Sequence, residues 1–247
     1  MSVAQMNQIN MWKDKSTFLG HFPTADWHKH GSPVLFIGVS GDFTIEFDGG
    51  VKERCSSVVV DAGVAHKTYP GGELMALFYL SPYSLNSMQF KKLFLSQTNY
   101  QLDVLKTPTR KSRFEKSLQN FDIEQALDRK LPSLNYNVDE RVCQSLQLIH
   151  ESSLPKNRDD IANSVNLSSS RFNHLFSQNM NVSYRHYRQW IQLGKALAHY
   201  QHVKNLTHAA LLAGFSDASH FSNTCKKLLG ISPSSILKKD TSLNVSY

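Results

Sequence analysis

The chain has 247 residues, 27 Lys and Arg against 20 Asp and Glu, and a formal net charge of +7. That length allows two domains with substantial cores. Its three cysteines, Cys55, Cys143 and Cys225, are odd in number, far apart and without a CxxC pair, which excludes a disulfide framework and zinc-finger spacing. No stretch approaches 18 apolar residues, and MSVAQMNQINMWKDKS at the start has no apolar run of signal length. A soluble, cytoplasmic protein with no membrane partner is expected. No GxSxG, P-loop or HExxH occurs, so no catalytic residue, cofactor or enzyme activity is expected.

The first third alternates with a period of two. PVLFIGVSGDFTIEFDGG predicts a strand over Val34 to Val39 and a turn at Ser40-Gly41. A second strand follows through Phe43, Ile45 and Phe47, with a further turn at Asp48 to Gly50. SSVVVDAGVAH and GELMALFYLSP predict two more strands around a loop. Short strands with Gly-rich turns suggest a small antiparallel barrel over residues 1–82.

This part of the chain resembles a cupin. HKH (His28 to His30), placed before the first predicted strand, and DAGVAH (Asp61 to His66) echo the two cupin metal motifs. The usual Glu after HxH is missing, and Asp61 stands where Pro is usual. Two readings stay open. His28, His30 and His66 converge on a divalent metal or a ligand, or they simply line the barrel mouth; the departures favour the second. No metal is assigned, and the three histidines are the candidate ligand contacts.

From Ser84 to Leu131 the pattern turns helical. SLNSMQFKKLFLSQ carries Phe90, Leu93 and Phe94 at helical spacing, and RFEKSLQNFDIEQALDRKL carries Phe114, Leu118 and Phe121. TPT (Thr107 to Thr109) separates them, and LPSLNYN (Leu131 to Asn137) reads as a linker. Residues 83–135 read as a helical segment that can pack on its own barrel.

Beyond it, Asp139 to Glu151 predicts a helix with Val142, Leu146 and Ile149 inward. A helix from Asp159 buries Ile161, Ala162 and Val165. The turn at Asn166 to Ser168 leads to a second helix, capped by Ser168 or Ser169, that buries Phe172, Leu175 and Phe176. The exposed face of that helix offers Ser170, Arg171, Asn173, His174 and Ser177. The arrangement recurs downstream. Leu206, Ala209, Ala210 and Ala213 mark one short helix, Gly214 the break, and Phe221, Cys225, Leu228 and Leu229 the stripe of the next. Asp217 or Ser216 caps it and Gly230 stops it. Ala218, Ser219, His220, Ser222, Asn223, Lys226 and Lys227 face outward. Each unit reads as a helix-turn-helix that shows hydrogen-bonding groups to base edges and cations to phosphates.

SYRHYRQWIQLGKALAHYQHV (Ser183 to Val203) joins the two units, apolar on most faces and without Pro. About 20 residues span roughly 30 Å, close to the roughly 34 Å between successive major grooves on one face of DNA. Charge follows the same division. From Asp139 onward the chain has 12 Lys and Arg against 7 Asp and Glu, or +5; the remainder has 15 against 13, or +2.

Residues 139–238 resemble the paired helix-turn-helix domain of AraC/XylS-type transcriptional regulators. The match rests on Ala210, Gly214, Phe215, Ser219, Phe221, Lys226, Gly230 and Ser232-Pro233, with Tyr187 and Ala196 in the joining helix. Asn223 and Gln192 stand where that family usually has Arg, and Cys225 where it has Phe. The resemblance implies an α+β chain of two domains: a cupin-like barrel with following helices, then an all-α domain over 136–247 with two helix-turn-helix motifs joined by a long helix. It also implies double-stranded promoter DNA as partner, RNA polymerase as a further one, and most often activation. A homodimer and a small-molecule effector of unknown identity are expected of such chains, and the resemblance implies that the segment over 83–135 pairs across that dimer, as the alternative to packing on its own barrel. The competing class is a metal-dependent cupin enzyme with an accessory helical domain.

Overall fold

A computed structural model describes residues 7–12, 15–80, 85–105, 111–132, 138–152, 154, 156–237 and 241–245, with the side chains of 85, 86 and 111–115 left aside. The TPT separator, Phe114 and the linker residues 133–137 therefore lie outside the described residues or side chains. The first part folds as strands β1 (Gln8–Met11), β2 (Ser16–Gly20), β3 (Ala25–His28), β4 (Val34–Gly38), β5 (Phe43–Phe47), β6 (Val51–Cys55), β7 (Ser57–Val60), β8 (His66–Tyr69) and β9 (Met75–Tyr79). Helix α1 (Leu85–Phe94), strand β10 (Tyr100–Leu102) and helices α2 (Lys111–Asn120) and α3 (Ile123–Leu127) follow. The helical part comprises α4 (Glu140–Glu151), α5 (Arg158–Ser164), α6 (Ser169–Met180), α7 (Tyr184–Val203), α8 (Leu206–Leu212), α9 (Ala218–Leu229) and α10 (Pro233–Ile236), before a last strand, β11 (Ser242–Val245).

Two sheets face each other. One runs β10-β7-β4-β9-β2-β1-β11 and the other β3-β8-β5-β6. β4, β7 and β9 read as continuous apolar runs because both of their faces are covered. Val34, Phe36, Val58, Val60 and Leu77 point between the sheets. Leu35, Ile37, Val59, Ala76 and Phe78, one residue out of phase, meet Phe90, Phe94, Leu118, Phe121 and Ile123 of the helical segment. So α1 to α3 pack on their own barrel. β5, covered on one face only, keeps the strict alternation of a half-buried strand.

Several elements differ from expectation. HKH does not precede the first strand: β1 and β2 come before it, and His28 ends β3. β6 is short, polar and largely exposed, and so carries no apolar signal. RFEKSLQNFDIEQALDRKL breaks at Phe121, whose φ is +52, and Asp122 caps α3 by accepting from the Gln125 amide. The helical part is not purely helical. β11 leaves it and pairs in parallel with β1, in register from Gln8↔Ser242 to Met11↔Val245. Asn244 Nδ2 donates to Asn10 Oδ1 at 3.0 Å across that pair.

The first helix-turn-helix unit has its own core, in which Val142, Ile161, Phe172, Phe176, Tyr184 and Tyr187 are all buried. The second does not. Ala210, Phe215, Phe221, Cys225 and Leu228 belong to the same continuous cluster as Phe18, Phe36 and Tyr79 of the barrel, joined through Leu193, Ala196 and Leu197 of α7.

Candidate nucleic-acid interface and the seam behind it

The two helix pairs are built alike. Asn157 caps α5 and Asn205 caps α8, each accepting from the amide three residues on. Ser168 caps α6 through the Arg171 amide, and Asp217 caps α9 through the His220 amide at 2.7 Å. The turns repeat as well. Asn166 and Gly214 are left-handed, at φ +55 and +83. The Leu167 and Phe215 amides reach back to the carbonyls of Ala162 and Ala210. The second turn is one residue longer. α6 and α9 both end in a left-handed cap, Asn181 and Gly230.

This frame places the candidate base-facing residues. Ser170, Arg171 and His174 are exposed on α6, with Asn173 and Ser177 half-buried beside them. On α9, Ala218, Ser219, His220, Asn223, Lys226 and Lys227 are exposed and Ser222 is half-buried. The equivalence of the caps sets Ser170 with Ser219, Asn173 with Ser222 and His174 with Asn223. His220 is not wholly free: its Nδ1 lies 3.2 Å from Ser216 Oγ, and its ring packs edge-on against Phe215 at 5.2 Å. Cys225 is fully buried on the opposite face, and burial pushes its thiol up to about 12.

The far ends of both helices rest on the barrel. At the end of α6, Asn181 Nδ2 donates to Asp61 Oδ2 at 3.1 Å and to the Ala62 carbonyl at 3.3 Å. At the end of α9, the Asp26 amide donates to the Gly230 carbonyl at 2.9 Å and the Lys29 amide to the Lys227 carbonyl at 3.3 Å. The approach is close enough that a Cβ on Gly230 would lie 2.4 Å from the Asp26 carbonyl oxygen, and one on Gly31 would lie 2.4 Å from Trp190 Cβ of α7. The seats are the HKH and DAGVAH segments. They are joined to each other by the Gly63 amide, which donates to the His30 carbonyl at 3.0 Å.

Between the two seats lie His28, His30 and His66, which are 5%, 1% and 0% exposed. They do not line an open mouth; they are sealed in. One ring nitrogen from each falls within 4.8 Å of the others. Burial holds His28 down to about 4 and His30 and His66 well below the usual imidazole range, which favours the neutral ring in all three. His28 Nδ1 faces the Asp26 carbonyl at 2.7 Å and His66 Nδ1 the Val64 carbonyl at 3.0 Å. His28 Nε2 and His30 Nε2 are 3.1 Å apart. His66 Nε2 and His30 Nδ1 have no hydrogen-bond partner. The Leu228 carbonyl lies near enough to His30 to favour its protonation, without a bond of normal geometry. An unpartnered buried acceptor costs about 1–3 kcal/mol. The donor set fits the divalent metal that the cupin resemblance implies in its imidazoles, not in a carboxylate. Asp61 is engaged elsewhere, with Lys91 Nζ at 3.0 Å and with Asn181.

A second feature of the seam escaped the sequence reading. A cavity of about 310 Å³ opens between the barrel and α7 and contains none of the three histidines. Met11, Phe18, Trp190, Leu193 and Leu197 give it apolar walls, with Lys15 and Lys195 at its edge. Its residues come from sequence positions about 180 apart, so no local pattern marks them. Trp190 and Leu193 carried a signal only as one apolar side of the joining helix.

Residues 161–239 match a family model described as a helix-turn-helix domain. Among curated proteins, none matches the chain significantly. Among solved structures, ToxT from Vibrio cholerae O395 is similar over 90% of this chain and 96% of its own, at 13% identity and a TM-score of 0.55. A structure of unsaturated fatty acid-bound wild-type ToxT from strain SCE256 is similar over 89% and 92%, at 12% identity and a TM-score of 0.53. A Chromobacterium violaceum transcriptional regulator with an AraC-type DNA-binding domain covers 38% of this chain and 86% of its own, at 28% identity and a TM-score of 0.35.

Proposed function

We propose that the chain is a DNA-binding transcriptional regulator of the AraC/XylS type, its helix-turn-helix match lying at residues 161–239, and that it inserts α6 and α9 into successive major grooves of promoter DNA. The observation that carries this is the repeated geometry of the two pairs, with matching N-terminal caps and a left-handed residue in each turn, held on one uninterrupted helix of 20 residues. In this reading Ser170, Asn173, His174 and Ser177, with Ala218, Ser219, Ser222 and Asn223, face base edges. Arg171, Lys226 and Lys227 meet phosphates, and His220 stands at the entrance of α9. The chain divides at 1–82, 83–135 and 136–247, and the middle segment offers its outward face for a homodimer. Its usual outcome is activation, through contact with RNA polymerase.

The effector in this reading is an amphipathic carboxylate. Support comes from the apolar seam cavity edged by Lys15 and Lys195, and from a structurally similar protein whose structure holds an unsaturated fatty acid. The test is genome-wide recovery of DNA bound by the full chain, with and without added unsaturated fatty acid. Recovered sites should share two short conserved blocks one helical turn apart, and the fatty acid should change their occupancy in the wild type but not in Lys15→Ala. Sites with a single block would overturn the two-groove reading. Occupancy indifferent to fatty acid would overturn the effector.

A further inference from the structure

An imidazole ligates through a bare ring nitrogen, and three rings in that form carry three protons between them. The Asp26 and Val64 carbonyls hold two of these on His28 Nδ1 and His66 Nδ1, which leaves both Nε2 lone pairs bare. If His30 carries its proton on Nε2, it donates to His28, and His30 Nδ1 and His66 Nε2 are left with nothing. If it carries the proton on Nδ1, three bare Nε2 atoms face one another. Either way at least two buried ring nitrogens of the cluster are left without a donor. Phe36, Tyr79 and Trp190 ring the cluster with aromatic faces and edges. Converging lone pairs of this kind are a binding site for a cation that prefers imidazole.

We propose that His28, His30 and His66 bind a late first-row divalent metal ion of the zinc type, and that the ion locks together the two barrel segments on which α6 and α9 are seated. Three imidazoles are a recognised zinc donor set, at about 2.0–2.1 Å per nitrogen. Two nitrogens on one ion therefore lie at most about 4.2 Å apart. The pair at 3.1 Å is already inside that limit, and the spread of 4.8 Å closes with side-chain movements below an ångström. The carbonyls behind His28 and His66 are the outer-shell partners that fix a ligating imidazole in its tautomer. His28 and His30 belong to the segment bonded to Gly230 and Lys227, and His66 ends the segment bonded to Asn181. An ion shared by all three crosses from one seat to the other and adds to the β3–β8 pairing at His28↔His66, the Lys67–Asp26 ion pair and the Gly63–His30 backbone bond. The proposal concerns α6 and α9 as helices, whatever they bind.

The experiment uses the full chain freed of metal by chelator, titrated with zinc chloride by calorimetry and followed by hydrogen exchange. About one zinc per chain is expected, with slowed exchange at 25–31, 61–66 and the last turns of α6 and α9. His66→Asn and His28→Asn should weaken binding by at least the roughly 10–100-fold that outer-shell losses cost, and should remove the protection. His208→Asn, on the exposed surface of α8, should change neither. X-ray absorption at the zinc edge of the wild type needs no folded variant and should count imidazole nitrogens. No binding, unchanged binding in both histidine variants, or a zinc shell without imidazole would overturn the site. Binding without protection at the two helix ends would overturn the lock.

Discussion

Gly230→Ala should unseat the end of α9, and two separable costs set its size. The first is conformational. Gly230 has φ +71 as the cap of α9, and a left-handed residue with a Cβ costs roughly 1–2 kcal/mol. The second is contact. The added carbon would lie 2.4 Å from the Asp26 carbonyl oxygen, 2.6 Å from His28 Nδ1 and 2.9 Å from Ala25 Cβ. The carbonyl belongs to β3 backbone already bonded to Gly230, so it cannot retreat without breaking that bond. Overpacking of this kind adds about 1–3 kcal/mol. Gly71→Ala isolates the first cost, because Gly71 has φ +66 and nothing within 4 Å of its missing Cβ. In a chain of this size a kcal/mol is roughly 2–4 °C of melting temperature. Gly230→Ala should therefore melt about 2–12 °C below Gly71→Ala when both are followed by calorimetry under one condition. Equal melting temperatures would refute the close seat of α9 on the barrel.

Asn173→Ala should lower affinity for the recovered site by about 1–3 kcal/mol and barely change binding to scrambled DNA, whereas Lys226→Ala should weaken both and flatten the salt dependence by about one unit of slope; titrations at several salt concentrations separate the two. Under native conditions a thiol reagent should count Cys143 alone, slowly because burial and Asp139 raise its thiol, while Cys55 and Cys225, both pushed up to about 12 by burial, stay silent until the chain unfolds. The backbone amide of His220 holds the Asp217 carboxyl below its ordinary value of 3.8. Its contribution to stability is thus fully present above pH 3.8 and is lost as pH falls through the lowered value; acid titrations of Asp217→Asn, which keeps a capping oxygen, should lack that component. Two alanines inserted after Gln192 turn the rest of α7 by roughly 200°, and because Leu193, Ala196 and Leu197 lie in the shared core, the insertion should lower the melting temperature as well as abolish binding to the full site.

The sequence alone determined what is periodic and local. Strands β4, β5, β7 and β9, helices α4 to α9, the caps at Ser168 and Asp217 and the left-handed stop at Gly230 all follow from spacing within a dozen residues, where each side chain's partner is the next turn or the next pleat. The likeness of the two helix pairs was legible for the same reason. Only the tertiary structure decided what crosses the chain. β11 is a polar tail until β1 lies beside it, and β6 shows no stripe because its partner supplies the hydrogen bonds while its side chains stay in water. Phe90 and Phe121 have the same period whether they meet their own barrel or a second copy; the second apolar phase of β4, β7 and β9 settles that they meet their own barrel. HKH and DAGVAH could be read as a loose lining of a mouth. Whether three imidazoles face water or one another depends on what covers them, and the covering is Trp190 and the end of α9, more than 120 residues downstream. Burial is a property of neighbours, and neighbours at that separation are set by the packing of two domains and not by any pattern within either.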